Sequence, residues 1–209
     1  MLEKLRLPFK KIIEPLARAL AFMHISANTI TIVGTVGTIV VALIMGISGH
    51  LFAGTLALTV LVLFDSLDGS VAAITNGGTE FGAFLDSTLD RIADWAVLLG
   101  VLLYFAWHTP MNNLWTQLGM ISTLLAMMTS FVTPYARARA EAVGFQAKNG
   151  IATRSDRLVI TLVATGITGL GAPIALLSLA MLLLTTLGII TVWQRIYTVY
   201  KQSLSHSSR

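Results

Sequence analysis

Four aspartates stand in two closely spaced pairs within otherwise apolar stretches of the sequence. Asp65 and Asp68 are three positions apart, and Asp86 and Asp90 are four apart, so each pair would share one face of a helix. The segment 75–80 between the pairs is short and turn-like, which predicts that the two helices pack side by side. Carboxylates gathered in this way repel one another unless cations neutralise them, and hard divalent ions take oxygen ligands. The spacing therefore predicts a site for Mg²⁺, with Mn²⁺ as the alternative.

Asp94 lies one helical turn beyond Asp90 and is not included in this ligand set. We expect it to orient Arg91 or to make a polar contact with a neighbouring helix. Acids in apolar segments are also typical of salt bridges, of proton relays and of the ion pathways of cation transporters. Arg91 is the single Lys or Arg in its predicted helix, which disfavours salt bridges as the account of all these acids. The sequence shows no internal repeat, which disfavours a transporter.

The elements that must position these acids are predicted to be membrane-spanning helices. The chain of 209 residues is 55% hydrophobic and 11% charged, with a mean hydropathy of +0.79, whereas soluble domains carry about a quarter charged residues. Charged side chains are missing from 46, 42 and 37 consecutive residues, at 19–64, 95–136 and 158–194. Each stretch can hold two spans of about 20 residues. We therefore predict an all-α integral membrane protein with six transmembrane helices. The lack of cysteine excludes thiolate metal sites and cysteine nucleophiles.

Turn residues divide each charge-free stretch, and the basic residues lie outside those turns. The turns fall at 46–50, 108–113 and 166–173. By the positive-inside rule, both termini and the connections that carry Lys and Arg are cytoplasmic in a multi-pass protein of the cell membrane. Residues 1–22 are predicted to form an amphipathic helix along the cytoplasmic membrane surface, with a disordered basic tail as the alternative. The six-helix domain then covers 23–202, and 203–209 form a cytoplasmic tail.

Small residues interleave the two aspartate pairs, and the whole pattern resembles the signature of a known family. Absent side chains at Gly69 and Gly82 let a ligand approach closely, with helix packing as the alternative for Gly82. The stretch reads Asp65-x2-Asp68-Gly69-x2-Ala72-Ala73-x8-Gly82-x3-Asp86-x3-Asp90. It resembles the signature of the CDP-alcohol phosphotransferases, D-x2-D-G-x2-A-R-x8-G-x3-D-x3-D. The one departure is Ala73, where the family has Arg, and it bears on a side-chain contact to the nucleotide or diphosphate.

The resemblance implies a six-helix membrane enzyme that uses a CDP-alcohol as donor and a hydroxyl compound as acceptor, and releases CMP. By motif position, the metal ligands are Asp65, Asp68, Asp86 and Asp90. Asp90 is also the general base that takes the proton of the attacking hydroxyl. Segment 27–31 is similar to the family's nucleotide-contacting helix start, although Asn28 within it is alternatively a helix cap. The expected contacts to the donor are Asn28, Thr29, Ile30, Thr31, Gly69, Ala73 and Thr79.

Arginines near the cytoplasmic ends of three predicted helices bear on the identity of the acceptor. A guanidinium group presents a fork of donors that suits phosphate, so we predict an acceptor that carries a phosphate group. Two alternatives remain for these arginines: they set the membrane orientation, or they bind anionic lipid headgroups. The three arginines are Arg137, Arg154 and Arg195.

Four stretches of the chain most resemble one group within the family, the phosphatidylinositol phosphate synthases of actinobacterial type. These stretches are 64–69, 77–83, 138–142 and 154–158. The resemblance implies CDP-diacylglycerol as donor, inositol 3-phosphate as acceptor, the three arginines as the acceptor-phosphate pocket, and a homodimer. Membrane lipids are the other expected partners, and no nucleic acid is expected. A phosphatidylglycerophosphate synthase, which uses glycerol 3-phosphate, is the nearest alternative.

Overall fold

The computed structural model describes Arg18, Phe22, residues 26–75 and residues 79–207, without the side chains of 65–75 and 206–207. The amphipathic helix predicted over 1–22 lies outside this description apart from Arg18 and Phe22, which are both helical. Over the described residues the regular structure is α-helix, with no β-strand. The predicted all-α class is therefore confirmed for that part of the chain.

Six helices follow one another in the described part of the chain. They are α1 (Ala27–Ser48), α2 (Leu51–Thr75), α3 (Glu80–His108), α4 (Leu114–Ala142), α5 (Arg154–Gly169) and α6 (Ile174–Ser207). The breaks at 49–50, 109–113 and 170–173 fall within the turns expected from the sequence. α6 continues to Ser207, five residues into the tail predicted over 203–209.

Three helices in the described part are long and apolar enough to cross a membrane. They are Ala27–Ser48, Leu114–Ala142 and Ile174–Ser205, and Leu51–Phe64 forms a shorter apolar segment within α2. Large apolar side chains stay exposed along the long helices, among them Val36, Ile121 and Leu183. Extended exposed apolar surface indicates contact with other molecules, including lipid. The structure thus agrees with a membrane protein built on several long apolar helices.

The residues group into two compact units. The first combines the described part of Met1–Val41 with Leu56–Ala93, and the second combines Ala42–Thr55 with Asp94–Arg209. Within the first unit α1 packs on α2, since a Cβ on Gly37 would lie 3.3 Å from a methyl carbon of Leu61. The four motif aspartates belong to the first unit, and the three arginines predicted to bind phosphate belong to the second.

In the second unit, α4 and α6 pack as a parallel pair. The Ser178 hydroxyl donates to the carbonyl oxygen of Trp115 at 2.7 Å. Seven residues further along both helices, the Thr185 hydroxyl donates to the carbonyl oxygen of Ser122 at 2.6 Å. A seven-residue repeat is typical of helices that cross at a shallow angle. Small and hydroxyl residues let the backbones approach closely, and those buried on α4 include Gly119, Ser122, Ala126, Thr129, Ser130 and Thr133.

α1 and α3 also come into close contact in the second unit, through their glycines. A Cβ on Gly46 would lie 2.3 Å from the carbonyl oxygen of Gly100. In the same way, a Cβ on Gly100 would lie 2.4 Å from the carbonyl oxygen of Ala42. Because these neighbours are backbone atoms, a larger residue at either position would have to push the helices apart.

Candidate active site

The second aspartate pair lies near the start of α3, in the first unit. Asp86 and Asp90 are both half-buried, and their four-residue spacing places them on one face of the helix. Asp65 and Asp68 lie on the helical backbone of α2, and their side chains are outside the described part. The two pairs therefore stand on consecutive helices, joined by the short connection that the sequence predicted.

The donor atoms of this motif suit a hard divalent cation, since all four side chains are carboxylates and the chain has no cysteine. Among the side chains that the structure describes, His, Asp and Glu nowhere form a group of three or more that could hold a metal ion. The described side chains do not include those of Asp65 and Asp68, so the four-aspartate ligand set stays a prediction.

The first turn of α3 brings together two predicted donor contacts and the motif glycine. Asn28 Oδ1 and Thr79 Oγ1 would each lie 3.1 Å from a Cβ on Gly82. Thr79 Oγ1 accepts a hydrogen bond from the Gly82 amide at 2.9 Å, so Thr79 caps the helix. The missing side chain of Gly82 thus leaves room for the Asn28 amide, which comes from α1, beside the capped end of α3.

Ser26 caps α1, and the alternative of Asn28 as the capping residue is therefore wrong. Ser26 Oγ accepts from the Thr29 amide at 3.2 Å and lies 2.9 Å from the Thr29 hydroxyl. Thr29 is exposed and Ile30 is half-buried, whereas Thr31 is 4% exposed and donates to the carbonyl of its own helix. The side-chain positions of the two other predicted donor contacts, Gly69 and Ala73, lie outside the described part.

Arg195 on α6 contacts both segments that carry the other two predicted phosphate ligands. Its Nε donates to the carbonyl oxygen of Asn149 at 3.0 Å, and its Nη1 donates to the carbonyl oxygen of Thr133. Thr133 lies one turn before Arg137 on α4, and Asn149 lies five residues before Arg154. The guanidinium group is thus held by backbone from α4 and from the loop that leads into α5.

The loop 143–153 is joined to the C-terminal half of α6 by further hydrogen bonds. The Gln146 amide donates to Gln202 Oε1 at 2.9 Å, and Gln202 Nε2 donates back to the Gln146 carbonyl oxygen at 2.6 Å. Asn149 Nδ2 donates to the carbonyl oxygen of Gln194 at 3.1 Å. These bonds fix the path of the chain just before α5.

α5 begins at a capping box that fixes its first turn. The Thr153 hydroxyl accepts from the Asp156 amide, and Asp156 Oδ2 accepts from the Thr153 amide at 2.9 Å and from its hydroxyl at 2.7 Å. These bonds tie the first turn of α5 to the residue that precedes it. Arg154 is the first residue of α5, and the capping box therefore fixes the backbone from which its side chain extends.

Asp94 forms ion pairs with two arginines of α5. Its Oδ1 lies 3.0 Å from Arg154 Nε, and its Oδ2 lies 3.3 Å from Arg157 Nη2. The expectation of a polar contact with a neighbouring helix is thus met. A cavity of about 20 Å³ beside Asp94 and Arg157 is also lined by Ser130 and Thr161, and a space of this size can hold one water molecule.

Arg137 differs from the other two predicted phosphate ligands in its exposure. Its Nε lies 3.0 Å from Glu141 Oε1, one turn further along α4, and both side chains are almost half exposed. Such an exposed pair contributes little to stability, about 0–1 kcal/mol. Arg137 can therefore exchange Glu141 for another anion at small cost.

Sequence reasoning missed the partners of Asp94, the contacts of Arg195 and the capping role of Ser26. The ion pairs of Asp94 join residues 60 and 63 positions apart, so no local pattern signals them. Arg195 binds backbone carbonyls, and because every residue carries one, no residue type in the sequence identifies its partners. The capping box was readable, because Thr153 and Asp156 have the required types and spacing.

Comparison with known proteins identifies similar chains over nearly the whole length. Residues 24–200 match the family model of the CDP-alcohol phosphatidyltransferases. The phosphatidylinositol phosphate synthase of Cutibacterium acnes is 41% identical over 207 residues, which cover 95% of this chain and 97% of that protein. The protein of the same name from Mycobacterium tuberculosis is 40% identical over 198 residues, which cover 93% of this chain and 88% of that protein.

Crystal structures of the Mycobacterium tuberculosis phosphatidylinositol phosphate synthase resemble this chain closely. One, with CDP-DAG bound, has a TM-score of 0.84 at 39% identity and covers 91% of this chain and 94% of that chain. Another, in complex with manganese and citrate, has a TM-score of 0.84 at 38% identity and covers 90% of this chain and 88% of that chain.

Proposed function

Because the chain belongs to the CDP-alcohol phosphatidyltransferase family, we propose that it transfers the phosphatidyl group of CDP-diacylglycerol to inositol 3-phosphate. The products are phosphatidylinositol phosphate and CMP. The observation that carries this proposal is the identity of 41% and 40%, along nearly the whole chain, with enzymes named for phosphatidylinositol phosphate synthesis. The region of similarity includes both the aspartate motif and the segments that carry the three arginines.

The proposed metal is Mg²⁺, and manganese in the Mycobacterium tuberculosis relative supports Mn²⁺ as a substitute. The proposed ligands are Asp65, Asp68, Asp86 and Asp90. When bound, divalent cations neutralise the diphosphate and stabilise CMP as the leaving group. Asp90 accepts the proton of the attacking hydroxyl as general base, and its half-buried position on α3 limits its contact with bulk water.

The nucleotide of the donor is proposed to bind at the first turns of α1 and α3. The side-chain amide of Asn28 both donates and accepts hydrogen bonds, which suits the edges of a base and a ribose. Its place beside Gly82 and Thr79 supports this assignment. At Ala73 the donor lacks the guanidinium contact that the family signature would supply. The further proposed donor contacts are Thr29, Ile30, Thr31 and Gly69.

The phosphate of the acceptor is proposed to bind Arg137, Arg154 and Arg195. Charge-assisted hydrogen bonds to guanidinium groups orient a phosphate firmly, and orientation of the attacking hydroxyl supplies a large part of the rate in phosphoryl transfer. Arg195 contacts the backbone one turn before Arg137 and five residues before Arg154, which supports a common role for the three.

The chain is proposed to cross the cell membrane six times, with both termini and the active site in the cytoplasm. α2, α3 and α5 would add three spans to those that are recognised by length and hydropathy alone. Residues 1–22 would lie on the cytoplasmic surface as an amphipathic helix, and two copies would form a homodimer. The basic residues flanking the helix pairs support this orientation.

The test is the synthesis of labelled lipid by purified protein from CDP-diacylglycerol and labelled inositol 3-phosphate. We expect product with Mg²⁺, none with a chelator, and a loss of at least about 100-fold with Asp90→Asn, since general bases contribute 10²–10⁴-fold. Glu80→Gln, an exposed acid in the first turn of the same helix, serves as matched control and should keep activity within about twofold.

Two other results would each contradict a different part of the proposal. Product formed from glycerol 3-phosphate alone would identify a phosphatidylglycerophosphate synthase and keep the reaction type. Cation flux into proteoliposomes without release of CMP would identify a transporter and refute the transfer reaction altogether.

A further inference from the structure

Asp94 is a buried acid whose two carboxylate oxygens contact different arginines of α5. Its side chain is 7% exposed, and the distances are 3.0 Å to Arg154 Nε and 3.3 Å to Arg157 Nη2. A buried carboxylate is costly to keep charged without such partners. The two contacts therefore stabilise both the acid and the position of α5 against α3.

The two arginines differ in their access to a ligand. The Arg157 side chain is 13% exposed, and the Arg154 side chain is 28% exposed. Asp94 contacts Arg154 through Nε, the guanidinium nitrogen nearest the backbone, so that the contact fixes the plane of the group close to its attachment. The capping box at Thr153 fixes the backbone of the same residue.

We propose that Asp94 is a positioning residue for the acceptor: it holds the Arg154 guanidinium in the orientation that binds the acceptor phosphate. This inference rests on the proposed function, because it takes Arg154 as a phosphate ligand. An arginine that is already ordered loses less side-chain freedom when it binds an anion. Asp94 should therefore lower the KM for the acceptor and leave the KM for CDP-diacylglycerol unchanged.

The first experiment compares Asp94→Asn with Asp94→Glu in the purified full-length protein. We expect the isosteric Asn variant to raise the acceptor KM at least tenfold and to leave the CDP-diacylglycerol KM within twofold. Asp94→Glu, which keeps a carboxylate, should recover part of the acceptor affinity. Glu80→Gln removes an exposed acid that lies outside the proposed arginine pocket and is the matched control, with an acceptor KM within twofold of wild type. An Asp94→Asn protein with an unchanged acceptor KM, or with both KM values raised equally, would overturn the proposal.

The second experiment asks whether Asp94 acts through Arg154. In an Arg154→Gln background, adding Asp94→Asn should change the acceptor KM by less than twofold, whereas multiplying effects would show independent action and refute the inference. If Asp94→Asn alone fails to fold, Asp94→Asn/Arg157→Gln removes one acid and one base together and should still raise the acceptor KM.

The failure of this inference is distinguishable from failure of the proposed function. Wild-type protein that uses glycerol 3-phosphate instead of inositol 3-phosphate would refute the proposed acceptor only. The same KM comparison is then made with glycerol 3-phosphate.

Discussion

At the residue scale, the assignment of Asn28 depends on its neighbours. The sequence left two roles open, because an Asn at a helix start either caps the helix or points its amide at a ligand. Ser26 supplies the cap, and the Asn28 amide lies beside Gly82 at the start of another helix. The Asn28 amide does not cap α1, and it lies beside Gly82, where the second half of the aspartate motif begins. This position suits hydrogen bonding to a ligand.

Gly82→Ala should weaken binding of the donor. The added methyl group would sit 3.1 Å from both Asn28 Oδ1 and Thr79 Oγ1, so these groups have to move by a few tenths of an ångström. We expect the KM for CDP-diacylglycerol to rise several-fold and the acceptor KM to stay unchanged, as measured by initial rates with each substrate varied.

Gly34→Ala is the matched control for this substitution, since none of the atoms that the structure describes lies within 4 Å of a Cβ at that position of α1. It should leave both KM values unchanged. An unaltered donor KM in Gly82→Ala would show that the first turn of α3 does not contact the nucleotide.

At the element scale, the helices of the second unit pack through positions that carry little or no side chain. α4 and α6 meet through hydroxyl-to-carbonyl bonds repeated every seven residues. α1 and α3 meet through Gly46 and Gly100, where backbone atoms are the nearest neighbours. Close approach of this kind replaces the hydrophobic driving force that helices lack within lipid. It also sets the position of α3, which carries Asp94.

Gly100→Ala should destabilise the protein by separating α1 from α3. Its Cβ would lie 2.4 Å from the Ala42 carbonyl oxygen, which cannot rotate away as a side chain would. Overpacking of this kind costs about 1–3 kcal/mol, so thermal unfolding in detergent should occur several degrees lower than in wild type. Gly34→Ala again serves as control and should not lower the unfolding temperature. Equal unfolding temperatures for Gly100→Ala and wild type would contradict the close contact of the two helices.

At the scale of the whole molecule, the distribution of charge predicts the orientation in the membrane. The turns between the helices of each pair lack Lys and Arg, whereas every Lys and Arg of the chain lies on the segments that flank the three charge-free stretches. Cytoplasmic placement of the basic segments follows from the positive-inside rule. In this proposed orientation the aspartate motif and the three arginines predicted to bind phosphate would lie on the cytoplasmic side, where a water-soluble inositol phosphate is dissolved.

Single cysteines can test this orientation, because the natural chain has none. Asn112 lies in the break between α3 and α4, Lys148 lies in the loop before α5, and both are exposed. We expect a membrane-impermeant maleimide to label Asn112→Cys in intact cells, and Lys148→Cys only after the membrane is permeabilised. Labelling of Lys148→Cys in intact cells would reverse the proposed topology.

Much of the fold and the aspartate motif were readable from the sequence because the signals are local. Hydropathy and turn residues predicted the breaks near Gly49, Pro110 and Gly171, and the structure has each of them. The family membership, predicted from the spacing of the aspartates and glycines, is confirmed by the match over residues 24–200. The positions of two motif aspartates on one face of α3 followed from helical periodicity alone.

By itself, the sequence determined the helix succession and the type of reaction, and it predicted carboxylates as the metal ligands, because each depends on residue types at fixed local spacing. Only the tertiary structure decided that Ser26 caps α1, that Asp94 pairs with Arg154 and Arg157, and that Arg195 binds two distant carbonyls. Such contacts depend on how far each helix is rotated and shifted against its neighbours. That rotation is set by the simultaneous packing of all the side chains between them, which no short stretch of sequence records.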